Sequence, residues 1–407
     1  MRRKKVWIVT ELFYPEETAV AYIFTRIANH LASSYKVGVI CGPEFYDKGK
    51  TNYVDNVEIV KSIDIHRIKY INLDKNSLVQ RTIKIILLSF RMGFLMWREI
   101  SKGELVILST NPAPLLLIVR IIKYVKKFQL HILVHDVFPE NAIPAKIFNN
   151  NESCGYKFIK YFFDRAYSCA DHLIVIGRDM KEIMTTKVNR CNKKPQISIV
   201  PNWSNIGYNH LSYSKHNTDK IILTYAGNIG RVQGLLDILN AFRLSNNNNI
   251  SFNIHGTGAL YPEIEKFINR YKIENIYLKG SFSRNEEKEI LANSDIGIVS
   301  LSNGMYGLGV PSKSYHLLSA GKPILYIGVP ETEISCLVLE NGIGWSLDIR
   351  NQNEMITFFI NLSSVDKLEL KKMGEKARFL AEKYYAENLI LDLLQSKIES
   401  VELNSMK

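Results

Sequence analysis

Apolar runs of strand length alternate with longer segments whose apolar positions recur every three to four residues, and the alternation runs along most of the 407-residue chain. That pattern predicts βαβ units, a parallel sheet with helices on both faces. In the first half it predicts strands at Val6–Glu11, Lys36–Cys41, Leu105–Ser109, Leu130–His135, His172–Ile176 and Ile197–Val200, with helices near 19–33, 78–100, 113–127, 154–169 and 178–187. The stretch from Ser204 to Lys220 is polar and aperiodic, as a linker would be. The alternation then restarts, with strands at Ile221–Ala226, Phe252–His255, Ile276–Lys279, Ile296–Ser300 and Pro323–Tyr326 and helices near 234–244, 261–271, 285–292 and 312–320.

The expectation is therefore an α/β chain of two doubly wound, Rossmann-like domains, 1–203 and 204–386, facing a central cleft. A last periodic stretch, Lys367 to Glu399, is too long for one closing helix. A bend near Tyr385 is expected, with the segment 387–404 packing back on the N-terminal domain.

Composition adds little, with 46% hydrophobic and 23% charged residues, ordinary values for a globular chain. Five cysteines without Cys-x-x-Cys spacing suit a reducing, cytoplasmic setting, and no cofactor or metal set is suggested. The apolar run from Val6 is ended early by Glu11, which makes it a first strand and not a leader. The run Ile83 to Trp97 is broken by Lys84 and Arg91 and falls short of the roughly 18 residues a spanning helix needs.

Charge changes the picture more. The net +12 lies in the first half: residues 1–205 hold 31 Lys and Arg against 18 Asp and Glu, residues 206–407 hold 21 against 22. Arg81, Lys84, Arg91 and Arg98 are interleaved with Ile85 through Trp97, and the mixture recurs from Ile118 to Lys127. Such segments are either helices lying in an anionic headgroup layer or core helices with a solvated basic edge. No zinc finger, helix-turn-helix or RNP-type motif accompanies the charge, which argues against nucleic acid.

Three glycine loops fall at one predicted sheet edge. Gly227-Asn228-Ile229-Gly230-Arg231-Val232-Gln233-Gly234 follows a strand and opens a helix, His255-Gly256 ends the next strand, and Gly309-Val310-Pro311-Ser312-Lys313 leads into another helix with Ser312 as its expected cap. Backbone amides, helix dipoles and the cations Arg231 and Lys313 suit a phosphate, and each loop singly also suits a tight turn. His135, Asp136 and Glu140 cluster after a strand of the first half, where a carboxylate or imidazole can orient an acceptor hydroxyl or cap a helix.

The segment Val310-Pro311-Ser312-Lys313 through Ala320-Gly321-Lys322-Pro323 resembles the donor-site helix of family-4 glycosyltransferases, in particular the bacterial O-antigen, capsule and colanic-acid subgroup that includes fucosamine transferases. Phe13-Tyr14-Pro15-Glu16, Ser109-Thr110-Asn111-Pro112, His135-Asp136-Val137-Phe138-Pro139-Glu140 and Ile199-Val200-Pro201-Asn202-Trp203 also match, in order. The resemblance implies a GT-B fold and retaining transfer of a sugar, such as N-acetylfucosamine, from a UDP- or GDP-sugar to an undecaprenyl-diphosphate-linked glycan at the inner face of the cytoplasmic membrane. It places Ser281 and Phe282 against the nucleobase and Arg231 and Lys313 on the diphosphate. The chain has no Asp-x-Asp, so cations and helix dipoles are expected to take the departing charge.

Two departures stand out. Leu308 and His316 occupy the places of two family glutamates, the second a ribose ligand, and Glu16-Glu17-Thr18-Ala19 replaces a Gly-Gly loop. Two other readings stay open: an enzyme like UDP-N-acetylglucosamine 2-epimerase on the same fold, and a non-enzymatic membrane-bound scaffold.

Overall fold

A computed structural model describes residues 3–16, 18–44, 62–69, 78–148, 150–204 and 220–405. Most of the expected linker, 205–219, and Glu17 lie outside the described residues. The first half runs β1 Lys5–Thr10, α1 Ala19–Leu31, β2 Lys36–Cys41, β3 Asp64–Arg67, α2 Leu78–Glu99 and β4 Leu105–Ser109. It continues with α3 Ala113–Lys126, β5 Gln129–Val134, α4 Cys154–Ser168, β6 His172–Val175, α5 Arg178–Asn189 and β7 Gln196–Ile199.

The second half opens with β8 Ile221–Ala226, α6 Leu235–Ser245, β9 Ile250–His255, α7 Tyr261–Tyr271, β10 Ile276–Lys279 and α8 Arg284–Ala292. Then come β11 Ile296–Ser300, α9 Lys313–Ser319, β12 Ile324–Gly328, α10 Glu333–Asn341 and β13 Gly344–Asp348. Helices α11 Gln352–Asn361, α12 Lys367–Tyr384 and α13 Glu387–Ser405 end the chain.

Both sheets are parallel, in the orders β3-β2-β1-β4-β5-β6-β7 and β10-β9-β8-β11-β12-β13. Their central strands are buried on both faces, β4 and β11 at every position, which is why they read as continuous apolar runs and not as alternating ones. In each sheet the strand order reverses once, between β1 and β4 and between β8 and β11. Loops leaving neighbouring strands diverge there and open a crevice at the carboxyl edge.

Right-handed crossovers put α2, α3, α4 and α5 side by side on one face of the first sheet, and α1 on the other with α13 against it. Ile390, Leu391, Leu394 and Ile398 of α13 are buried in the same core as the first sheet. Tyr22 donates to Glu387 at 2.7 Å, and Lys4 pairs with Glu402 at 2.9 Å. Where the chain passes between the halves its two strands meet: the Ser204 N–H donates to the Tyr385 carbonyl at 2.7 Å, and Ser204 forms a β-bridge with Ala386.

Four elements were not foreseen from periodicity: β3, α10, β13 and α11. The helix expected over 312–320 is shorter, and Lys313 is its first residue. Ser312 stands before it, but its hydroxyl makes no capping bond, contrary to its expected role, because its backbone is already helical (φ −62°, ψ −24°) and turns the side chain away from the first-turn amides.

Candidate functional site

A cavity of about 270 Å³ lies where the two crevices meet. From the second half it is lined by Tyr225, Asn228, Gln233, Ser300 and the stretch Gly309 to Lys313; from the first by Val20, Ile23, His135, Asp136 and Asn202. Thus nine of the residues singled out from sequence share one space: His135, Asp136, Asn228, Gln233, Gly309, Val310, Pro311, Ser312 and Lys313.

Lys313 is the cation of this space. Its ammonium donates to the Tyr225 hydroxyl at 3.2 Å and sits 4.4 Å from the centre of that ring. Tyr225 in turn gives its only hydroxyl proton to the Asn228 carbonyl at 2.6 Å, so it can offer Lys313 nothing but a lone pair. Among the described residues Lys313 makes no ion pair. Burial draws its pKa down to about 7, against the opposing pull of Glu287.

Glycine makes that position possible. A Cβ on Gly227, where φ is +142°, would fall 1.6 Å from the Lys313 Nζ, and one on Gly256 (φ +136°) would fall 1.8 Å from the Gly227 carbonyl oxygen. The loops after β8 and β9 thus lie backbone against backbone, joined by Gly227 N–H to His255 O at 2.8 Å. The Gly256 N–H reaches the Gly280 carbonyl at 3.0 Å and carries the row on to Ser281 and Phe282, whose ring stands edge-on to His255 at 6.3 Å.

Unpartnered polar atoms point to a ligand. Gln233 Oε1, Ser300 Oγ and both ring nitrogens of His135 are shut off from water and have no hydrogen-bond partner in the structure, an arrangement that costs free energy until a ligand satisfies it. Burial lowers the His135 pKa to about 4, so the ring is neutral at pH 7, one nitrogen able to donate and the other to accept. Burial raises the Asp136 carboxyl, while Asn111 Nδ2, donating at 3.1 Å, restrains the rise.

The loop from Met305 to Pro311 belongs to the second half but is held by the first. Leu308 O accepts from Val137 N–H at 3.2 Å, Gly307 N–H donates to Asp179 at 3.2 Å, and Tyr306 donates to Glu182 at 2.8 Å. Close by, Arg178 pairs with Glu333 and Glu340.

Other expected site residues stand elsewhere. Glu140 does not line the cavity: Lys187 binds both its oxygens at 2.8 Å and Lys160 also pairs with it, a buried cluster completed by Asp164. Those lysines hold the carboxylate apart from the residues that line the cavity. Arg231 is exposed in a short 3₁₀ turn, Gly230 packs against Gln233 and Asn228, and His316 is bonded to Glu287 at 3.0 Å. Periodicity and spacing did not single out Tyr225, Ser300 or Glu287. Tyr225 is the last residue but one of β8 and Ser300 the last of β11, at the β8/β11 reversal, a position visible only once the strand order is known.

No family model matches the sequence. A curated relative, "Probable glycosyltransferase WbjE" of Pseudomonas aeruginosa, is 29% identical over 408 residues, covering 95% of this chain and 96% of its own. The chain is a glycosyltransferase of the GT-B fold. The glycosyltransferase also superposes on WaaG, a glycosyltransferase involved in lipopolysaccharide biosynthesis, with a TM-score of 0.65 at 14% identity (95% and 98% of the two chains). HepE of Anabaena, solved in complex with UDP, gives 0.66 at 12% identity (97% and 100%). At such identities these two speak for the fold alone. No helix among the described residues of the glycosyltransferase is long and apolar enough to cross a membrane.

Proposed function

We propose that this glycosyltransferase moves a sugar, with retention of configuration, from a UDP- or GDP-sugar to a lipid-linked glycan, an undecaprenyl-diphosphate oligosaccharide of O-antigen, capsule or lipopolysaccharide assembly. The donor half is 204–386, and the acceptor half is 1–203 with the returning helix 387–404. The work is done at the cytoplasmic face of the membrane. The observation that carries this reading is Lys313, a desolvated ammonium at a cavity of polar atoms without partners, with a hydroxyl and a ring as neighbours and, among the described residues, no carboxylate bonded to it. A diphosphate is the group such a site lacks.

In this reading the diphosphate lies over the Gly227 loop, between Lys313 and the cation of Arg231. The nucleoside extends along Gly256 toward Ser281 and Phe282, and the Glu287–His316 pair faces the ribose. As the bond from the sugar to the diphosphate breaks, negative charge grows on the leaving oxygen, and Lys313 is already in place to meet it without solvent reorganisation. Neutral His135 and Asp136, across the cavity, orient hydroxyls of the donor sugar and the acceptor. The acceptor proton passes to the departing phosphate or to one of these groups. The WbjE and WaaG descriptions, a glycosyltransferase and a lipopolysaccharide enzyme, support the polysaccharide setting.

The test is a melting-temperature screen against UDP, GDP, ADP and dTDP with and without EDTA, since a ligand of the folded state stabilises it by mass action. UDP or GDP is expected to raise the melting temperature equally in both conditions. Indifference to all four would remove the nucleotide-sugar reading.

A further inference from the structure

Large apolar side chains exposed among the described residues concentrate on one outer face, that of the α2–α3–α4 layer. Helix α2 turns Phe90 and Phe94 to the outside, 62% and 65% exposed, with Trp97 one turn on. Its neighbour α3 adds Ile121 and Tyr124, and α4 adds Phe158, Tyr161 and Phe162. These three helices are consecutive neighbours, so the groups form one surface and not scattered single residues, and a surface of this kind needs an occupant. The aromatic contribution of α4 has no counterpart in the charge pattern of the sequence.

The charge around this face is mostly positive. Arg91, Arg98, Lys127 and Lys157 are exposed at its edges. Lys126 lies over the Trp97 ring at 5.2 Å and Arg165 over Tyr161 at 3.4 Å, cations resting on the aromatic groups themselves. Helix α3 carries no acidic residue; Glu99 of α2 is taken by Arg98, Glu152 just before α4 is taken by Lys157, and Asp164 of α4 is buried with Lys187. Lys123 is not part of the face: it donates to the Phe128 carbonyl and pairs with Asp171.

We propose that the α2–α3–α4 face docks on an anionic lipid leaflet, with Phe90, Phe94, Tyr124 and Phe158 entering the acyl boundary and the arginines and lysines at phosphate level. A second copy of this chain is disfavoured as occupant, because pairing the face with itself would set Arg91, Lys126, Lys127 and Arg165 against their own copies, while the carboxylates at its edge, Glu99 and Glu152, are already held by Arg98 and Lys157. Helices α2, α3 and α4 run antiparallel to their strands, so their N-terminal ends lie at the cleft edge of the sheet. A leaflet on their outer face therefore brings lipid headgroups beside the cavity. The docking draws its purpose from the lipid-linked acceptor proposed above, but its test needs no acceptor.

The experiment is flotation of the full chain with vesicles of phosphatidylcholine alone and of phosphatidylcholine with phosphatidylglycerol. Wild type is expected to float with the anionic vesicles and to be weakened by salt. The variant Phe90→Ser/Phe94→Ser/Phe158→Ser is expected to lose bound fraction by about tenfold or more, and Arg91→Glu/Lys127→Glu to lose the preference for phosphatidylglycerol. The melting temperature and its nucleotide-induced rise, unchanged in both variants, would show an intact fold and donor site. Wild type that floats with neither vesicle, or a triple variant that floats like wild type, would overturn the proposal. So would light scattering that shows a wild-type dimer made monomeric by the serines, which would make the face an interface between copies.

Discussion

Replacing Lys313 by Met keeps the length of the side chain and removes its charge, and the structure gives the result two signs. Holding this ammonium with a pKa drawn from 10.5 to about 7 costs the folded state about 4 kcal/mol at neutral pH, of which a methionine in the same space should recover about 1–2 kcal/mol. The sign with pH follows. Between pH 7 and 10 the unfolded chain holds this proton and the folded chain does not, so wild-type stability rises relative to Lys313→Met across that range.

Binding goes the other way. Losing one charge-assisted contact to a diphosphate is worth about 1.5–3 kcal/mol, roughly 10- to 150-fold in Kd. Calorimetry at pH 8 in two buffers of different ionisation enthalpy reads the proton as well. The empty wild-type lysine is then about nine-tenths neutral, and binding UDP or GDP should draw in close to one proton, an uptake the methionine variant lacks. A variant that binds as tightly as wild type, with the same proton uptake, would refute the role given to Lys313.

Two further outcomes are expected. Glu140→Gln should lower the free energy of unfolding in urea by about 3 kcal/mol, because it leaves buried Lys187 short of an anion, while kcat for sugar transfer stays at the wild-type value. The buried pair His131 and His172, Nδ1 to Nδ1 at 3.1 Å, is held at pKa values of about 3 and about 4, chiefly by burial. Both are neutral when folded but protonate near pH 6.5 when unfolded. The pair's contribution to stability should therefore be level above that pH and fall below it by about 1.4 kcal/mol per unit for each histidine, and His172→Phe should flatten the melting-temperature profile between pH 6 and 4.

Strands β5, β8 and β11, which carry most of the site, were legible because they are buried on both faces, and burial of that kind writes itself as an apolar run; β9 alternates and was legible by its period of two. Strand β3, Asp-Ile-His-Arg, was not, since it is an edge strand of half-exposed polar residues. Strand β13, Gly-Trp-Ser-Leu-Asp, begins on a glycine and has one buried position. Local motifs also foretold which loops meet at the cavity, as glycines before helices leave a clear mark. The ion pairs of Glu140 were not legible, because a strand-end carboxylate looks the same in sequence whether it faces a cleft or two lysines. Its partners Lys160 and Lys187 come from α4 and α5, at separations that only the folded helix layer reveals. Tyr225 was hidden by ordinary β propensity: an aromatic residue near the end of a strand gives no hint that its hydroxyl holds an ammonium.

The bridge between Ser204 and Ala386 has a mechanical meaning. Two strands of chain join the halves, and they pass side by side, hydrogen-bonded to each other. A body hung on one such seam turns about it as a door on a single hinge. The stretch from Tyr306 to Leu308, with Arg178 and Glu333 beside it, is then the latch of that door, and it is continuous in sequence with Gly309 to Lys313. A rotation about the seam would part Leu308 from Val137 and Gly307 from Asp179, and would carry Lys313 away from His135 and Asp136. In the function proposed above, product escape and dismantling of the site would then be one motion.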